Sequence, residues 1–158
     1  MNVAIITISD SVAGGKRQDA SGPALVARCK DLRWPISSSQ VVADDAAQIR
    51  AVLVRLADQD GVDVILTTGG TGIGPRDITP EATTAIADRL IPGMAEEMRR
   101  KGLAHTPRAI LSRGVTAIRK STLILNLPGS PKGALESLDA VAVLLPHAIE
   151  IIHGARHD

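Results

Sequence analysis

The sequence predicts an α/β fold of three layers, an α/β/α sandwich around a mostly parallel central sheet. Two patterns carry that expectation. Short runs rich in β-branched and aliphatic residues, at 3–8, 36–42, 62–67 and 122–127, alternate with longer amphipathic segments. The runs at 3–8 and 62–67 carry apolar residues on both faces, as strands covered by helices on each side do. A chain of 158 residues suits one domain, so residues 1–158 read as a single unit.

The elements follow in order. Val3–Ile8 opens the sheet, and residues 10–21 form a polar, glycine-containing loop. Gly22-Pro23 starts a helix to about Leu32, with proline at the first helical position. Residues 36–42 are a second strand. Residues 45–56 are a helix with Ile49, Val52, Leu53 and Leu56 on one face. Asp45 and Gln48 have the spacing of a capping box. A third strand, 62–67, feeds a loop at 68–78. Thr79-Pro80-Glu81 then reads as N-cap, first-turn proline and first-turn acid. Another helix begins near Pro92. Residues 109–118 and 122–127 read as two strands of a hairpin. Ser130-Pro131 repeats the cap-then-proline signal for a helix to about 144, and 147–152 is a last helical segment. In such a sheet, ligands bind beyond the C-terminal strand ends.

Composition narrows the function. With one Trp and no Phe or Tyr, the core is aliphatic, and stacking on single-stranded nucleic acid is nearly ruled out. A net charge of +1 provides no global field toward nucleic acid or a membrane, so any anion site is local. Cys29 is the only cysteine, which excludes an intrachain disulfide and fits a reducing cytoplasm. The run at 3–8 has no basic leader and is too short to span a membrane. His105, His147, His153 and His157 lack metal-ligand spacing, and the terminal His157-Asp158 is expected to fray.

Four loops carry possible chemistry. In the first, Thr68, Gly69, Gly70, Thr71 and Gly72 follow a buried strand. Glycines let the backbone approach a ligand and turn successive N–H groups toward an anion. The loop lacks the lysine of a Walker motif, so it points to phosphate without naming the nucleotide; the alternative is a plain connector. In the second, Asp77 lies between Pro75 and Pro80 beside that turn. A carboxylate next to phosphate is repulsive without a cation, so Mg²⁺ is the inference, with an ion pair to Arg76 as the alternative. In the third, Asp45 serves as a helix cap, which leaves Asp44 without a structural duty. Asp44 and the strand-end Asp10 read equally as solvated turn acids. In the fourth, a strand passes through Asn126, Pro128 and Gly129 to Ser130 and a helix start. Its exposed N–H groups and Lys132 favour an anion, with an ordinary turn as the alternative. Ser112-Arg113 is a weaker candidate, because an arginine there is either an anion ligand or an ordinary surface residue.

Taken together, these segments resemble the molybdopterin adenylyltransferase family, which includes the G domain of gephyrin and of its plant counterpart. The matching segments are Ile8-Ser9-Asp10-Ser11, Asp19-Ala20-Ser21-Gly22-Pro23, Asp44-Asp45, LTTGGTGIGPRDITPEA at 66–82, Pro92-Gly93-Met94, Leu111-Ser112-Arg113, LILNLPGSPKG at 123–133, and Leu145-Pro146-His147-Ala148-Ile149. Ala43 departs from the proline often found before the aspartate. The resemblance implies a molybdopterin-binding-domain fold and transfer of AMP from Mg-ATP to the terminal phosphate of molybdopterin, with release of pyrophosphate. It implies that Asp44 and Asp77 are catalytic and hold Mg²⁺. Asp10, Ser11, Thr68, Gly69, Gly70, Thr71, Gly72, Ser112, Asn126, Pro128, Gly129, Ser130 and Lys132 become substrate or nucleotide contacts. A homotrimer is also implied, joined through aliphatic helix faces such as residues 86–98, with a molybdate insertase as a possible partner. A non-catalytic molybdopterin-binding protein and a trimeric scaffold are the alternative readings.

Overall fold

The computed structural model describes residues 1–155. In chain order its elements are β1 (Val3–Ile8), α1 (Asp10–Ala13), α2 (Ser21–Asp31), β2 (Ile36–Val42), α3 (Ala46–Asp58), β3 (Val64–Thr68), α4 (Thr79–Ile86), β4 (Arg89–Leu90), α5 (Pro92–Gly102), β5 (Thr116–Arg119), β6 (Thr122–Leu127), α6 (Pro131–Val141) and α7 (Leu145–Ile152). Short 3₁₀ turns at Pro107–Leu111 and Ala142–Leu144 complete the path.

The sheet order is β2-β1-β3-β6-β5-β4. Strands β2, β1, β3 and β6 are mutually parallel, and β5 runs antiparallel to both of its neighbours. The expected three layers follow from the pleat. Val3, Ile5, Val64, Leu66, Leu123 and Leu125 point to one face, where they pack with residues of α2, α5, α6 and α7. Ala4, Ile6, Ile65 and Ile124 point to the other, against α3 and α4. Asn126 is, with Thr122, a buried polar residue of β6. Its side-chain amide donates to Thr67 Oγ1 and Thr83 Oγ1, both at 3.0 Å, and its Oδ1 accepts from Val115 N at 3.3 Å. That network satisfies a buried amide and ties β3, β6 and α4 together.

Local chemistry explains the helix starts. Asp45 accepts from Gln48 N at 2.8 Å and caps α3. Ser130 accepts from Gly133 N at 3.1 Å and caps α6. Three expectations need correction. The loop at 10–21 contains a helical turn, α1, because Ser9 caps it by accepting from Val12 N; a four-residue helix is too short to show periodicity. Thr79 is the first residue of α4 and not its cap, since the cap position falls on Ile78, which makes no side-chain bond. Residues 109–118 are not one strand. Thr106 starts a 3₁₀ turn, and only Thr116–Arg119 joins the sheet, where it pairs with the two-residue β4 that the sequence did not signal.

Helix α5 corrects a further expectation. Met94, Ala95 and Met98 are buried in the chain's own core, so that face of α5 is not free for subunit contact, whereas Leu90, also within 86–98, is exposed. His157 and Asp158 lie outside the described residues.

The chain leaves β1 toward β2 on one side and returns to β3 on the other. A crevice opens at such a reversal, beyond the C-terminal ends of β1 and β3. Every loop singled out above, except that of Ser112, leaves a strand end at this edge.

One prediction concerns Cys29, on the buried side of α2. Burial pushes its thiol up to about 11. It should resist alkylation at pH 8 in the folded chain and react at the rate of a free thiol once denatured, as read by iodoacetamide labelling. Equal rates in the two states would contradict this packing.

Candidate active site

The site is built around one turn. After Thr68 the chain enters the left-handed region at Gly69 (φ +105°) and Gly70 (φ +66°). A Cβ at Gly69 would overlap the carbonyl oxygen of Ile8, and one at Gly70 would overlap Thr79 Oγ1. Gly72 is small for a different reason: a Cβ there would sit 2.8 Å from Asp77 Oδ2. Thr79 holds the turn in place. Its hydroxyl donates to Gly69 O at 2.9 Å and its N–H to Gly70 O at 3.1 Å. The turn after β6 packs alongside, through Thr68 Oγ1 donating to Pro128 O at 2.7 Å and Gly69 N to Leu127 O at 3.1 Å. Among the described residues, no hydrogen bond engages the N–H groups of Gly70, Thr71 or Gly72. Three consecutive unengaged donors beside a cleft form a ready anion cradle.

The acids lie at the rim of this turn. Asp10 and Asp44 exchange reciprocal bonds, Asp10 N to Asp44 Oδ2 at 2.8 Å and Asp44 N to Asp10 Oδ1 at 3.0 Å. Arg76 grips Asp10 with Nε at 3.0 Å and Nη2 at 3.2 Å, and donates Nη2 to Asp44 O at 2.9 Å. Asp77 Oδ2 accepts from Gly74 N at 2.9 Å. Burial holds the Asp44 carboxyl above the ordinary aspartate range, and the charges of Asp10 and Asp77 push the same way. The Asp10 N–H and Arg76 oppose them.

Two clefts meet here. The larger, about 610 Å³, runs from Gly70, Thr71 and Gly72 past Ser112 to Asn126 and Ser137. The smaller, about 510 Å³, lies over the ends of β1 and β3, among Ser9, Arg17, Asp19 and Asp44. Gly70, Asp77, Gly129 and Ser130 line both. Of the remaining residues expected from sequence, Pro128 lines the larger cleft, and Thr68 and Gly69 line the smaller. Three expected contacts line neither cleft. Asp10 is committed to Arg76 and Asp44; Ser11 Oγ lies 3.1 Å from Ser9 Oγ on α1; Lys132 is exposed and 3.8 Å from Glu136.

The structure adds residues that the sequence reading passed over. Arg17 reaches the smaller cleft, and Arg99, Arg108 and Glu136 the larger. Single charges on loops and helix faces carry no local signal, whereas Ser9 could have been found as the cap of α1. Arg113 holds a carboxylate of the chain itself and is not a loose surface group. It donates Nε to Gly72 O and Nη2 to Asp77 O, both at 2.7 Å, and pairs with Glu81. No group of three or more His, Cys, Asp or Glu side chains among the described residues is placed to hold a metal. Asp44 and Asp77 alone suit an ion such as Mg²⁺, which takes one or two carboxylates and completes its shell with water and substrate phosphate.

Residues 4–147 match the family described as "Probable molybdopterin binding domain". The molybdopterin adenylyltransferase of Haemophilus influenzae is 43% identical over 168 aligned residues, covering 98% of this chain and 85% of that protein. The crystal structure of the molybdopterin biosynthesis enzyme MoaB from Thermus thermophilus superposes with a TM-score of 0.92 at 48% identity, covering 99% of both chains. The molybdopterin biosynthesis Mog protein of Mycobacterium ulcerans superposes at 0.89 with 41% identity, over 96% of this chain and 98% of that one. Family match, near full-length identity and superposition agree: this chain belongs to the molybdopterin-binding domain family.

Proposed function

We propose that the chain is a molybdopterin adenylyltransferase that joins AMP from Mg-ATP to the terminal phosphate of molybdopterin and releases pyrophosphate. The observation that carries this reading is the meeting of two clefts at one edge, with a carboxylate and residues of two glycine-containing turns on the shared wall. A protein that only bound one ligand would have no use for a second cleft sharing that wall. Each cleft takes one substrate, and the reacting phosphates meet beside Gly70, Asp77, Gly129 and Ser130.

Phosphate chemistry of this kind depends on position and charge. The N–H groups of Gly70 to Gly72 hold a phosphate oxygen, and the capped start of α6 presents a second set of donors. Asp44 and Asp77 hold Mg²⁺, which offsets charge between the acids and the phosphates. Asn126 and Ser112 shape the wall of the larger cleft. On this reading the product passes to a molybdate insertase in the cytoplasm. The working unit is a homotrimer. With the face of α5 used internally, its contacts fall on exposed aliphatic residues such as Ile73, Leu90, Ile110 and Val143.

Three outcomes test this reading. Asp77→Asn keeps the shape, since the amide still fits beside Gly74, and removes one charge. Adenylyl transfer at saturating Mg-ATP should fall by about 100-fold or more while molybdopterin still binds; near-normal turnover would remove Asp77 from the mechanism.

Asp44→Asn separates electrostatics from chemistry. Because the Asp44 carboxyl is raised, the folded chain holds that proton more tightly than the unfolded chain does. Stability is therefore lost as pH rises from the ordinary aspartate value of about 4 through the raised native value. Metal-free Asp44→Asn should melt at a higher temperature than the parent at pH 7, and the difference should vanish below about pH 4. A lower melting temperature at pH 7 would show that the bond from Asp10 N outweighs the partly buried charge.

Light scattering at micromolar concentration should give the mass of three 16.5 kDa chains. The mass of one chain would rule out the trimer.

A further inference from the structure

Resting on that reading of the site, we propose that Arg76 and Arg113 are positioning residues that set the separation of Asp44 and Asp77 and thereby their affinity for a nucleotide-bound divalent cation.

The two arginines are used in the same way. Arg76 Nη2 donates to the backbone carbonyl of Asp44 at 2.9 Å, and Arg113 Nη2 to the backbone carbonyl of Asp77 at 2.7 Å. Each guanidinium is oriented by an acid that lines neither cleft, Asp10 for Arg76 and Glu81 for Arg113. Arg113 also holds Gly72 O at 2.7 Å, so it spans both ends of the loop that carries Asp77. Arg76 directly precedes Asp77, so its grip on Asp44 ties the loop of one acid to the loop of the other.

Holding the backbone leaves the side chains available. Among the described residues, Asp44 Oδ1 and Asp77 Oδ1 accept no hydrogen bond, while the other oxygen of each is oriented by one N–H. Two like charges would move apart in a loose loop. Two guanidinium forks hold them near and add compensating positive charge. Only a planar fork can hold two acceptors at fixed angles, so lysine is not equivalent here. Exposed ion pairs contribute little to global stability, and removing one should leave the fold intact.

The test uses Arg113→Lys, Arg76→Lys and Glu81→Gln in the full chain, with Arg28→Lys, whose Asp139 pair lies away from the clefts, as control. Mn²⁺ binding is measured by electron paramagnetic resonance with a non-reactive α,β-methylene ATP analogue. Hydrogen exchange of residues 72–77 is measured without metal, and transfer is assayed against Mg²⁺ concentration. Arg113→Lys and Arg76→Lys should each weaken Mn²⁺ binding by about 10- to 100-fold, the usual scale for groups that orient metal ligands. Arg113→Lys should also speed exchange at 72–77. Half-maximal transfer should need correspondingly more Mg²⁺, with little change in KM for molybdopterin or in melting temperature. Glu81→Gln should move the same way by less.

Unchanged Mn²⁺ affinity in both arginine variants would overturn the proposal. So would a selective rise in KM for molybdopterin, which would make Arg113 a ligand contact, or a loss of Mn²⁺ affinity matched by a collapse in melting temperature. A parent chain that binds Mn²⁺ with the analogue but transfers no AMP would refute the enzymatic reading alone, leaving the Mn²⁺ comparison to decide the positioning roles. A parent that binds no Mn²⁺ would overturn both.

Discussion

Two successive residues cross from β3 to the cleft through a gap that admits no side chain. On one side is the carbonyl of Ile8 at the end of β1, and on the other the hydroxyl of Thr79 at the start of α4. Gly69 and Gly70 pass there in left-handed conformations that cost other residues of order 1–2 kcal/mol even in open space. The rest of the site depends on this passage. It brings β3 close enough to the turn after β6 for Thr68 to bond Pro128, and among the described residues the N–H groups of residues 70–72 engage no acceptor. Thr79 closes the arrangement from the far end of the loop, so the glycine turn and the start of α4 form as one unit.

The acids introduce an opposing force. Asp10, Asp44 and Asp77 come from three different segments, and burial, followed by the charges of Asp10 and Asp77, raises the Asp44 carboxyl. A fold selected for stability alone would place a neutral residue there. Arg76 pairs with the Asp10 carboxylate and holds the backbone of Asp44, and Arg113 holds the backbone of Asp77. Acids gathered in this way are commoner at a reaction site than in a scaffold.

Much of this was legible in the chain itself. Continuous apolar runs and a period of 3.6 placed the principal strands and helices, because β1 and β3 are buried on both faces and α3 on one. The glycine loop and the strand-to-helix turn at 127–131 stood out because glycine, proline and capping serine act locally. What stayed hidden depends on distant contacts. Thr79 had the spacing of a cap, but its hydroxyl is drawn to Gly69 ten positions earlier. Asp10 looked like a free acid until Arg76, 66 positions away, was seen to hold it. Arg113 resembled a surface arginine because its three acceptors come from a different loop and helix. The two-residue β4 carries no period at all.

The central claim is that the two clefts bring an α-phosphate of ATP to the phosphate of molybdopterin. The most direct measurement incubates the chain with Mg²⁺, molybdopterin and ATP carrying a radioactive phosphorus at either the α or the γ position. The account predicts that α label appears in the pterin product while γ label leaves entirely as pyrophosphate, and that neither occurs without Mg²⁺. Appearance of γ label in the pterin, or no transfer of either label with both substrates bound, would contradict it.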